Sequence, residues 1–383
     1  MTKSTSKIRV VIFIDWFYPA YKAGGPIKSV YHIAENLSQE FEFYIVCSNQ
    51  DLDGEILKVK FNQWSNREHT HVIYLDKEHQ SREHFQELFE EVEPQVIYYN
   101  NLFSFPFGIK ALWQFRNKKN IKQIIAPRGM LGAGALKIKA AKKRSFLNFA
   151  KIFLFRKELI WHASTEQEQR EIKRAIGENA KVRVARNLSS KPRKRELATT
   201  NKKVGSLKLV FISRLSPKKN LLFLLELLQN LGELQNLCLD VYGPIEAGEY
   251  WHRCERLIKQ DDRISYKGIL KPTEIEGILT DYHFYVLPTL HENFGHSIAE
   301  AINAGVPVLL SEFTPWRNLA KHGVGFDLSL GNKPLWQEKI QELYALDHSS
   351  YEEMTKNAYE YALRNIVNSK SLIANQKLFQ LES

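Results

Sequence analysis

The sequence contains few cysteines and no long apolar segment. Its three cysteines, Cys47, Cys238 and Cys254, are far apart and odd in number, so neither a disulfide framework nor a CxxC metal site is indicated. No apolar run approaches the roughly 18 residues that a membrane span needs. The first residues, MTKSTSKIRVVIFIDWF, lack the charge, apolar and cleavage pattern of a signal peptide. We therefore expect free thiols and a cytoplasmic protein.

Acidic residues are scarce in one part of the chain. Residues 110–195 contain 24 basic and 5 acidic residues, a local charge of +19, whereas the whole chain carries +11. Residues 201–383 contain 20 basic and 22 acidic residues. A strongly basic region either faces a negative partner or keeps the protein soluble. Nucleic acid, anionic lipid and phosphorylated substrates are all open on charge alone.

The chain is long enough for two domains, and its patterning repeats once. At 383 residues, with 44% hydrophobic and 25% charged residues, it exceeds one ordinary core. Short apolar runs alternate with amphipathic segments, which is typical of a parallel sheet covered on both faces. The predicted strands of the first half are 8–14, 41–48, 71–75, 95–100, 122–127 and 158–164.

The same pattern restarts after a polar, basic linker at 187–206. Its predicted strands are 207–213, 237–243, 263–268, 284–288 and 307–311. We therefore predict an α/β fold of two doubly wound, Rossmann-like domains, 1–190 and 205–365, with a helical tail at 366–383 packing back toward the first domain. Ligands bind at the carboxyl ends of the strands in such sheets, so two domains facing each other would form a cleft.

Two carboxylates flank a glycine where a predicted strand gives way to a helix, in the stretch HENFGHSIAE. Gly295 permits a close turn, and the following helix would direct free N–H groups and its positive dipole end at a ligand. Glu300, about one turn into the helix, could accept hydrogen bonds from two adjacent hydroxyls, as on a ribose. Glu292, nearer the tip, could contact a second polyol. The alternative is that Glu292 favours the helix dipole and Glu300 is a surface residue.

The segment around these glutamates resembles the Glu-x7-Glu segment of retaining glycosyltransferases of family 4, whose two Rossmann-like domains form the GT-B arrangement. Five other stretches agree with that family in order, so that the resemblance spans roughly residues 8–365. The six stretches are AGGPIKSV (23–30), APRGMLGAGALKIKAAKKR (126–144), WHASTEQE (161–168), FISRLSPKKN (211–220), YGPIEAGEYW (242–251) and LPTLHENFGHSIAEAINAGVPVLLSE (287–312).

The resemblance implies transfer of a sugar from a nucleotide donor, UDP- or GDP-linked, without a metal or other cofactor. It assigns the donor ribose to Glu300 and the departing diphosphate to Arg214 and Lys219. A cation is needed there because something must neutralise the leaving group. Contacts to the donor sugar are implied for Glu292, Asn293, Phe294 and Gly295.

In the first domain, Gly24 and Gly25 match the glycine loop of the family and are expected to approach the donor. Arg128 is expected either as a cation of the cleft or in an interdomain ion pair. Many relatives carry a histidine where this chain has Asn100 and Asn101, so a histidine role cannot be transferred. His162 is a further candidate on the acceptor side, with a structural role as the alternative.

Two other stretches have competing interpretations. The DLDG stretch at 51–54 resembles a metal-binding Asp-x-Asp motif, but we interpret it as an ordinary turn. The basic, Phe-rich stretch from Lys137 to Lys157 predicts either an interfacial helix on anionic lipid or a core helix with solvated lysines, and both can hold together.

Taken with the resemblance, the sequence predicts a metal-independent, retaining glycosyltransferase of GT-B fold. Its acceptor would be a glycan or lipid-linked glycan in cell-surface polysaccharide biosynthesis, and the enzyme would be cytoplasmic or peripheral on the inner face of the membrane. The alternatives are a nucleotide-sugar epimerase and a basic, non-enzymatic membrane- or nucleic-acid-binding protein. Nucleic acid is not expected as a partner, because the aromatic-rich binding motifs of RNA modules are missing.

Overall fold

The computed structural model describes residues 7–132, 136, 140–191, 200–232, 234–246 and 248–381. The chain divides into two compact units. The N-terminal unit comprises Met1–Ser190 together with Asn368–Ser383, and the C-terminal unit comprises Lys191–Val367. Among the described helices, none has the length and hydropathy needed to cross a membrane.

The described strands of the N-terminal unit form one sheet in the order β3-β4-β2-β1-β5-β6-β7-β8. All neighbours are parallel except β3 and β4. The strands are β1 (Ile8–Phe13), β2 (Phe41–Ser48), β3 (Ser65–Arg67), β4 (Thr70–Leu75), β5 (Val96–Tyr99), β6 (Lys122–Ile125), β7 (Ile160–Ala163) and β8 (Lys181–Val184).

Helices cover both faces of this sheet. Several of them begin at side-chain caps: for example, Ser81 accepts a hydrogen bond from the amide of His84 and Thr165 accepts one from the amide of Glu168, both at 3.1 Å. Such caps satisfy amides that the first helical turn leaves unpaired. The helices are α1 (Gly25–Leu37), α2 (Arg82–Val92), a π-helix (Phe105–Lys110), α3 (Ala111–Phe115), α4 (Ala140–Phe153) and α5 (Glu166–Ile176).

The C-terminal unit contains a parallel sheet in the order β11-β10-β9-β12-β13-β14. This is the doubly wound order in which the chain reverses direction between its first and fourth strands. The strands are β9 (Leu207–Ile212), β10 (Leu237–Tyr242), β11 (Ile264–Gly268), β12 (Phe284–Leu287), β13 (Val308–Ser311) and β14 (Gly325–Leu328). The helices are α6 (Leu221–Gln229), α7 (Gly248–Ile258), α8 (Ile275–Leu279), α9 (His296–Asn303), α10 (Lys333–Ala345) and α11 (His348–Asn365).

The last helix, α12 (Ser369–Phe379), returns to the N-terminal unit. The fully buried ring of Phe379 packs against Phe41 and Phe43, with centroids 5.8 and 5.9 Å apart. Burying one such side chain contributes about 1.5–3 kcal/mol. Asn375 adds a hydrogen bond of 2.8 Å to the carbonyl of Arg186. The helix therefore completes the core of the N-terminal unit.

The predicted α/β class with two doubly wound domains is confirmed. Alternation along β1 explains the layering, since Val10 and Ile12 enter the core on one face and Val11 and Phe13 enter the core on the other. The sequence patterning missed β3, β8 and β14. In β8, KVRV, the residues are exposed or half-buried, so the strand lacks the apolar run that marks its neighbours.

Candidate active site

The candidate donor residues lie where the C-terminal sheet reverses direction, between β9 and β12. Arg214 and Lys219 follow β9, whereas Glu292 follows β12, and the two strands are direct neighbours. Since carboxyl ends of parallel strands share one edge, the loops after β9 and β12 lie side by side. Such a switch point is where doubly wound sheets bind ligands.

Hydrogen bonds to backbone carbonyls hold these two loops together. The carbonyl of Lys218 accepts a bond of 2.8 Å from the amide of Leu290 and one of 3.0 Å from the hydroxyl of Thr289. The hydroxyl of Ser311 donates to the carbonyl of Thr289 in turn. The short 3₁₀ turn Pro217–Lys219 is therefore held against the loop that carries Glu292.

Lys219 and Glu292 form an ion pair with side chains only 12% and 15% exposed. Burial by itself raises the pKa of Glu292, but the charge of Lys219, a hydrogen bond from it, and the nearby Lys218 and His291 outweigh burial and leave that pKa below its ordinary value. Glu292 is therefore a carboxylate at neutral pH. The pair places both signs of charge at the switch point.

Gly295 fixes the turn between this pair and α9. Its φ is +80°, and a Cβ there would lie 2.6 Å from Cδ1 of Ile298 and 3.2 Å from Cγ of Glu292. A side chain there would clash with Ile298 and crowd the side chain of Glu292. The buried Phe294 anchors the same turn, because its carbonyl accepts a hydrogen bond from the indole of Trp316. The side-chain carbonyl oxygen of Asn293 accepts a hydrogen bond of 2.8 Å from Nε2 of His291.

Glu300 is half-buried, one turn into α9. Tyr285, a residue of β12 that the sequence analysis missed, is influenced by the charges of both Glu292 and Glu300. The hydroxyl of Tyr285 bonds to Ser297 at 2.8 Å and donates to the carbonyl of Ile212 at 3.2 Å. Burial, followed by the negative charges of Glu292 and Glu300, raises the pKa of Tyr285 well above its ordinary value. The carboxylates of Glu292 and Glu300 therefore both help to keep the Tyr285 hydroxyl protonated.

Arg214 is separate from the Lys219–Glu292 pair in its described contacts. Its guanidinium bonds to Glu246 at 2.9 Å, and its side chain is 36% exposed. Gly243 brings the loops after β9 and β10 into contact, since a Cβ there would lie 1.8 Å from the carbonyl oxygen of Ser213. Of the two predicted diphosphate cations, Lys219 is thus the one built into the buried part of the site.

In the N-terminal unit, the glycine loop and Asn100 lie at the corresponding reversal, between β1 and β5. Gly24 has φ of +68° and precedes α1, which begins at Gly25 and has a proline in its first turn. The side-chain amide of Asn100 donates to the carbonyl of Pro26 at 3.3 Å. The structure therefore connects two predicted segments that are far apart in sequence.

Arg128 is the centre of a network of neutral acceptors. It donates to Asn100 at 2.7 Å, to Asn187 at 2.6 Å and to the hydroxyl of Tyr98 at 2.8 Å. These partners all belong to its own unit. Within the described residues no carboxylate pairs with Arg128, and its charge is oriented without being neutralised.

His162 is a buried member of the same network, which supports the structural alternative. The ring is 1% exposed, its Nδ1 bonds to the hydroxyl of Tyr98 at 2.7 Å, and its Nε2 bonds to the carbonyl of Ala185 at 2.7 Å. A carbonyl only accepts, so Nε2 carries the proton and Nδ1 accepts from Tyr98. Burial and the charge of Arg128 lower the pKa of His162 to about 3.

This shift predicts a pH dependence of stability. An unfolded histidine has a pKa near 6.5, so between about pH 6.5 and pH 3 the unfolded chain binds a proton that the folded chain does not. The free energy of unfolding should therefore decrease as the pH is lowered from about 6.5 to 3, by up to about 1.4 kcal/mol per pH unit from this residue. Denaturant titrations at several pH values should show a flatter dependence for His162→Gln, whereas the exposed-histidine control His252→Gln should follow the wild type. Identical slopes for all three proteins would contradict the assignment.

Asn101 takes part in a second cluster, around a carboxylate that the sequence analysis missed. Its amide donates to Asp15, whose other oxygen accepts from the hydroxyl of Ser104. Burial raises the pKa of Asp15 despite these bonds. Gly108 in the π-helix lets that helix approach, since a Cβ there would lie 2.6 Å from the carbonyl oxygen of Asn101. Asn101 thus links the end of β1 to the π-helix.

The Asp-x-Asp stretch is a turn, as expected. The amide of Gly54 donates to the carbonyl of Asp51 at 3.0 Å, and Asp53 pairs with Lys22 at 2.7 Å. Across the described part of the chain, no group of three or more His, Cys, Asp or Glu side chains is arranged to hold a metal ion.

The fold agrees with comparisons to known proteins. Sucrose-phosphate synthase from Thermosynechococcus elongatus superimposes with a TM-score of 0.72 at 16% identity, over 97% of both chains. HepE of Anabaena in complex with UDP-glucose gives a TM-score of 0.68 at 15% identity, over 97% of this chain and 98% of that one. These structures show the fold of the chain, the two-domain GT-B arrangement.

A family match comes from the sequence of the C-terminal unit. Residues 192–361, which fall in this unit, match the family described as "Glycosyl transferases group 1". The GtfA subunit of UDP-N-acetylglucosamine–peptide N-acetylglucosaminyltransferase from Streptococcus pneumoniae serotype 4 is 27% identical over 154 residues. That match takes in 39% of this chain and 27% of the relative.

Proposed function

We propose that the protein transfers a sugar from a nucleoside-diphosphate sugar to a glycan or lipid-linked glycan, with retention of the anomeric configuration. The observation that carries this proposal is the buried Lys219–Glu292 pair, held by Gly295 at the start of α9, with Glu300 one turn further on. This grouping offers a cation for a diphosphate and carboxylates for the hydroxyls of two sugars.

Each group has a distinct proposed role. Lys219, with Arg214 at the more exposed rim, stabilises the diphosphate, and the free amides at the start of α9 add their positive end. Glu300 accepts hydrogen bonds from the two ribose hydroxyls. Glu292 and the backbone of Asn293 to Gly295 hold the donor sugar. Because Gly295 fixes the distance between the turn and Glu292, the sugar and diphosphate subsites are built as one piece.

The proposed reaction needs no protein nucleophile. The bond between the anomeric carbon and the diphosphate oxygen breaks, and both electrons leave with the diphosphate. The acceptor oxygen bonds to the same face of the anomeric carbon, and its proton passes to an oxygen of the departing diphosphate. The protein contributes positioning and charge stabilisation. A UDP-linked donor is favoured over a GDP-linked one because the solved complex of HepE contains UDP-glucose and the S. pneumoniae relative is named for UDP-N-acetylglucosamine.

A panel of UDP- and GDP-sugars tests the proposal. Wild-type protein is incubated with each donor, with and without EDTA, and release of the nucleoside diphosphate is measured. We expect one donor to be hydrolysed slowly, without dependence on metal, and Lys219→Ala to suppress that hydrolysis. Conversion of a nucleotide sugar to an epimer without release of the nucleotide would identify the epimerase alternative instead.

The acceptor is proposed to lie against the N-terminal unit, whose oriented cation is Arg128. Asn100 stands where many relatives have histidine, and here it accepts a hydrogen bond from Arg128 rather than titrating. An amide cannot serve as a general base. Proton removal from the acceptor is therefore assigned to the diphosphate.

A membrane-facing role is proposed for α4. Its buried side is formed by Leu147 and Ala150, whereas Phe149, Ile152 and Phe153 are 47%, 74% and 52% exposed. Both predicted interpretations of the basic stretch thus have a physical basis, a core face and an apolar outer face. Lysines and arginines on the same helix complement an anionic lipid surface. Lys137, where the predicted stretch begins, lies outside the described residues.

Reversing charges on this helix should release the protein from acidic vesicles. Lys142→Glu, Lys143→Glu and Arg144→Glu together should cost about 3 kcal/mol, or roughly a hundredfold in partitioning, at about 1 kcal/mol per basic residue. The measurement is co-sedimentation with phosphatidylglycerol-containing vesicles at low salt. The control carries the same charge change on the C-terminal unit, at the exposed Lys271, Lys321 and Lys356. Wild-type protein that never sediments with these vesicles would end the membrane proposal.

A further inference from the structure

A second concave region lies in the N-terminal unit, at the amino ends of β6, β7 and β8. It has a volume of about 1210 Å³ and includes Lys122, Ile160 and Lys181, the first residues of those strands. Arg128 and Asn100 follow the carboxyl ends of β6 and β5. The cavity therefore lies at the opposite edge of the sheet from the residues assigned to the transfer reaction.

The lining of this cavity is strongly positive. It contains a single carboxylate, Glu158, and seven basic residues: Arg116, Lys118, Lys119, Lys122, Arg156, Lys181 and Arg183. Burial and the neighbouring charges of Arg156 and Arg82 lower the pKa of Arg116, as expected where like charges are crowded. In the described part of the chain, no carboxylate forms an ion pair with Arg116, Arg156 or Lys181.

Neutral groups hold several of these cations in place. Arg116 lies over the ring of Trp113 at 3.9 Å and donates to the carbonyl of that residue at 2.6 Å. Arg156 donates to the side-chain carbonyl of Asn117. Arg183 donates to the carbonyl of Lys377 in α12 at 2.9 Å. The contacts of Arg116 and Arg156 orient these side chains without a carboxylate partner among the described residues, which concentrates positive potential in a concave wall.

The shape and lining select among anionic ligands. The volume exceeds the roughly 300–1,000 Å³ of ordinary small-molecule pockets, so an extended ligand with several charges fits better than a lone phosphate. No Phe, Tyr or Trp is among the lining residues, whereas proteins that bind single-stranded nucleic acid stack bases on aromatic rings. The recessed position of Arg116 favours a flexible chain over a flat lipid surface.

We propose that this cavity binds an acidic glycan, a saccharide chain that carries carboxylate or phosphate groups on successive residues. The inference goes beyond the proposed transfer function, because it concerns separate residues at the other edge of the sheet. A chain bound there would be retained by the N-terminal unit independently of donor binding.

The test measures binding of an oligogalacturonate of about six residues at low salt, about 50 mM, where charge interactions are weakly screened. The test variant combines Arg156→Glu with Lys181→Glu, two exposed positions. The control combines Lys58→Glu with Lys60→Glu, which are exposed, outside the cavity and equal in charge change. We expect the test variant to lose affinity about tenfold or more and the control to stay within about twofold of wild type.

Three results would overturn the proposal. They are no binding by wild-type protein, equal losses in both variants, and tighter binding of single-stranded oligothymidylate than of the oligogalacturonate. Neutral maltohexaose should not bind, and its binding would argue against a charge-based site. Hydrolysis of the nucleotide-sugar donor should be unchanged in Arg156→Glu/Lys181→Glu. If wild-type protein binds the glycan but hydrolyses no nucleotide sugar, the result would count against the transfer function and not against this glycan site.

Discussion

Replacing Lys219 by alanine should lower kcat by roughly 10²–10³, the range typical of removing one preorganised electrostatic donor. Negative charge accumulates on the diphosphate as its bond to the sugar breaks, so a cation aimed there assists the transition state more than the bound substrate. Donor affinity should therefore change less than turnover. The measurement is steady-state kinetics with the donor identified from the panel, with the donor Kd determined separately by calorimetry.

Stability must be separated from catalysis in this experiment. Removing one partner of a buried ion pair can cost about 3–5 kcal/mol, because the remaining charge stays buried. The double variant Lys219→Ala/Glu292→Gln removes that charge and should recover much of the thermal stability without recovering turnover. Arg214→Ala should have a smaller effect on kcat, because that side chain is more exposed and pairs with Glu246. A Lys219→Ala enzyme with wild-type kcat would remove Lys219 from the reaction.

Replacing Glu300 by alanine should weaken donor binding by about 1.5–3 kcal/mol, the value of hydrogen bonds to a charged group. This corresponds to roughly a 10- to 150-fold higher Kd. The loss should appear equally with UDP alone and with the intact donor, since the ribose is common to both. Calorimetry with UDP measures it directly.

Two further variants define the role of this carboxylate. Glu300→Gln keeps one acceptor oxygen in place and should fall between wild type and Glu300→Ala. Glu353→Ala, an exposed change on α11, should bind UDP as wild type does. Equal UDP affinity in wild type and Glu300→Ala would place Glu300 outside the ribose subsite.

Much of the fold could be predicted from the sequence, because buried parallel strands leave apolar runs. Runs such as those of β1 and β9 are bounded by polar segments and therefore stand out. The strand β8 could not be found in this way, since an edge strand is buried less and its residues alternate with charges. The tail helix α12 was predicted as helical from its composition, but the packing of Phe379 on Phe41 depends on contacts between residues far apart in sequence.

The arrangement of the candidate site could be predicted where its residues are close together in the sequence, and less well where they come from distant segments. Glu292, Gly295 and Glu300 lie within one turn and helix, so their spacing in sequence gives their spacing in space. Tyr285 was missed because a tyrosine within an apolar strand is typical of a core residue, and only the structure shows that its hydroxyl bonds to Ser297 in α9. The environment of His162 could not be predicted, because its partners Tyr98 and Ala185 are far from it in the sequence.

Proton NMR of the complete reaction tests the central claim most directly, with the donor from the panel and a glycan acceptor, in the presence of EDTA. The proposed function predicts that the anomeric signal of the nucleotide sugar decays while a new glycosidic signal of the same anomeric configuration grows. Free nucleoside diphosphate should appear in equal amount, at the rate seen without EDTA. A product of inverted configuration, a strict requirement for Mg²⁺ or Mn²⁺, or an epimerised nucleotide sugar formed without acceptor would contradict it.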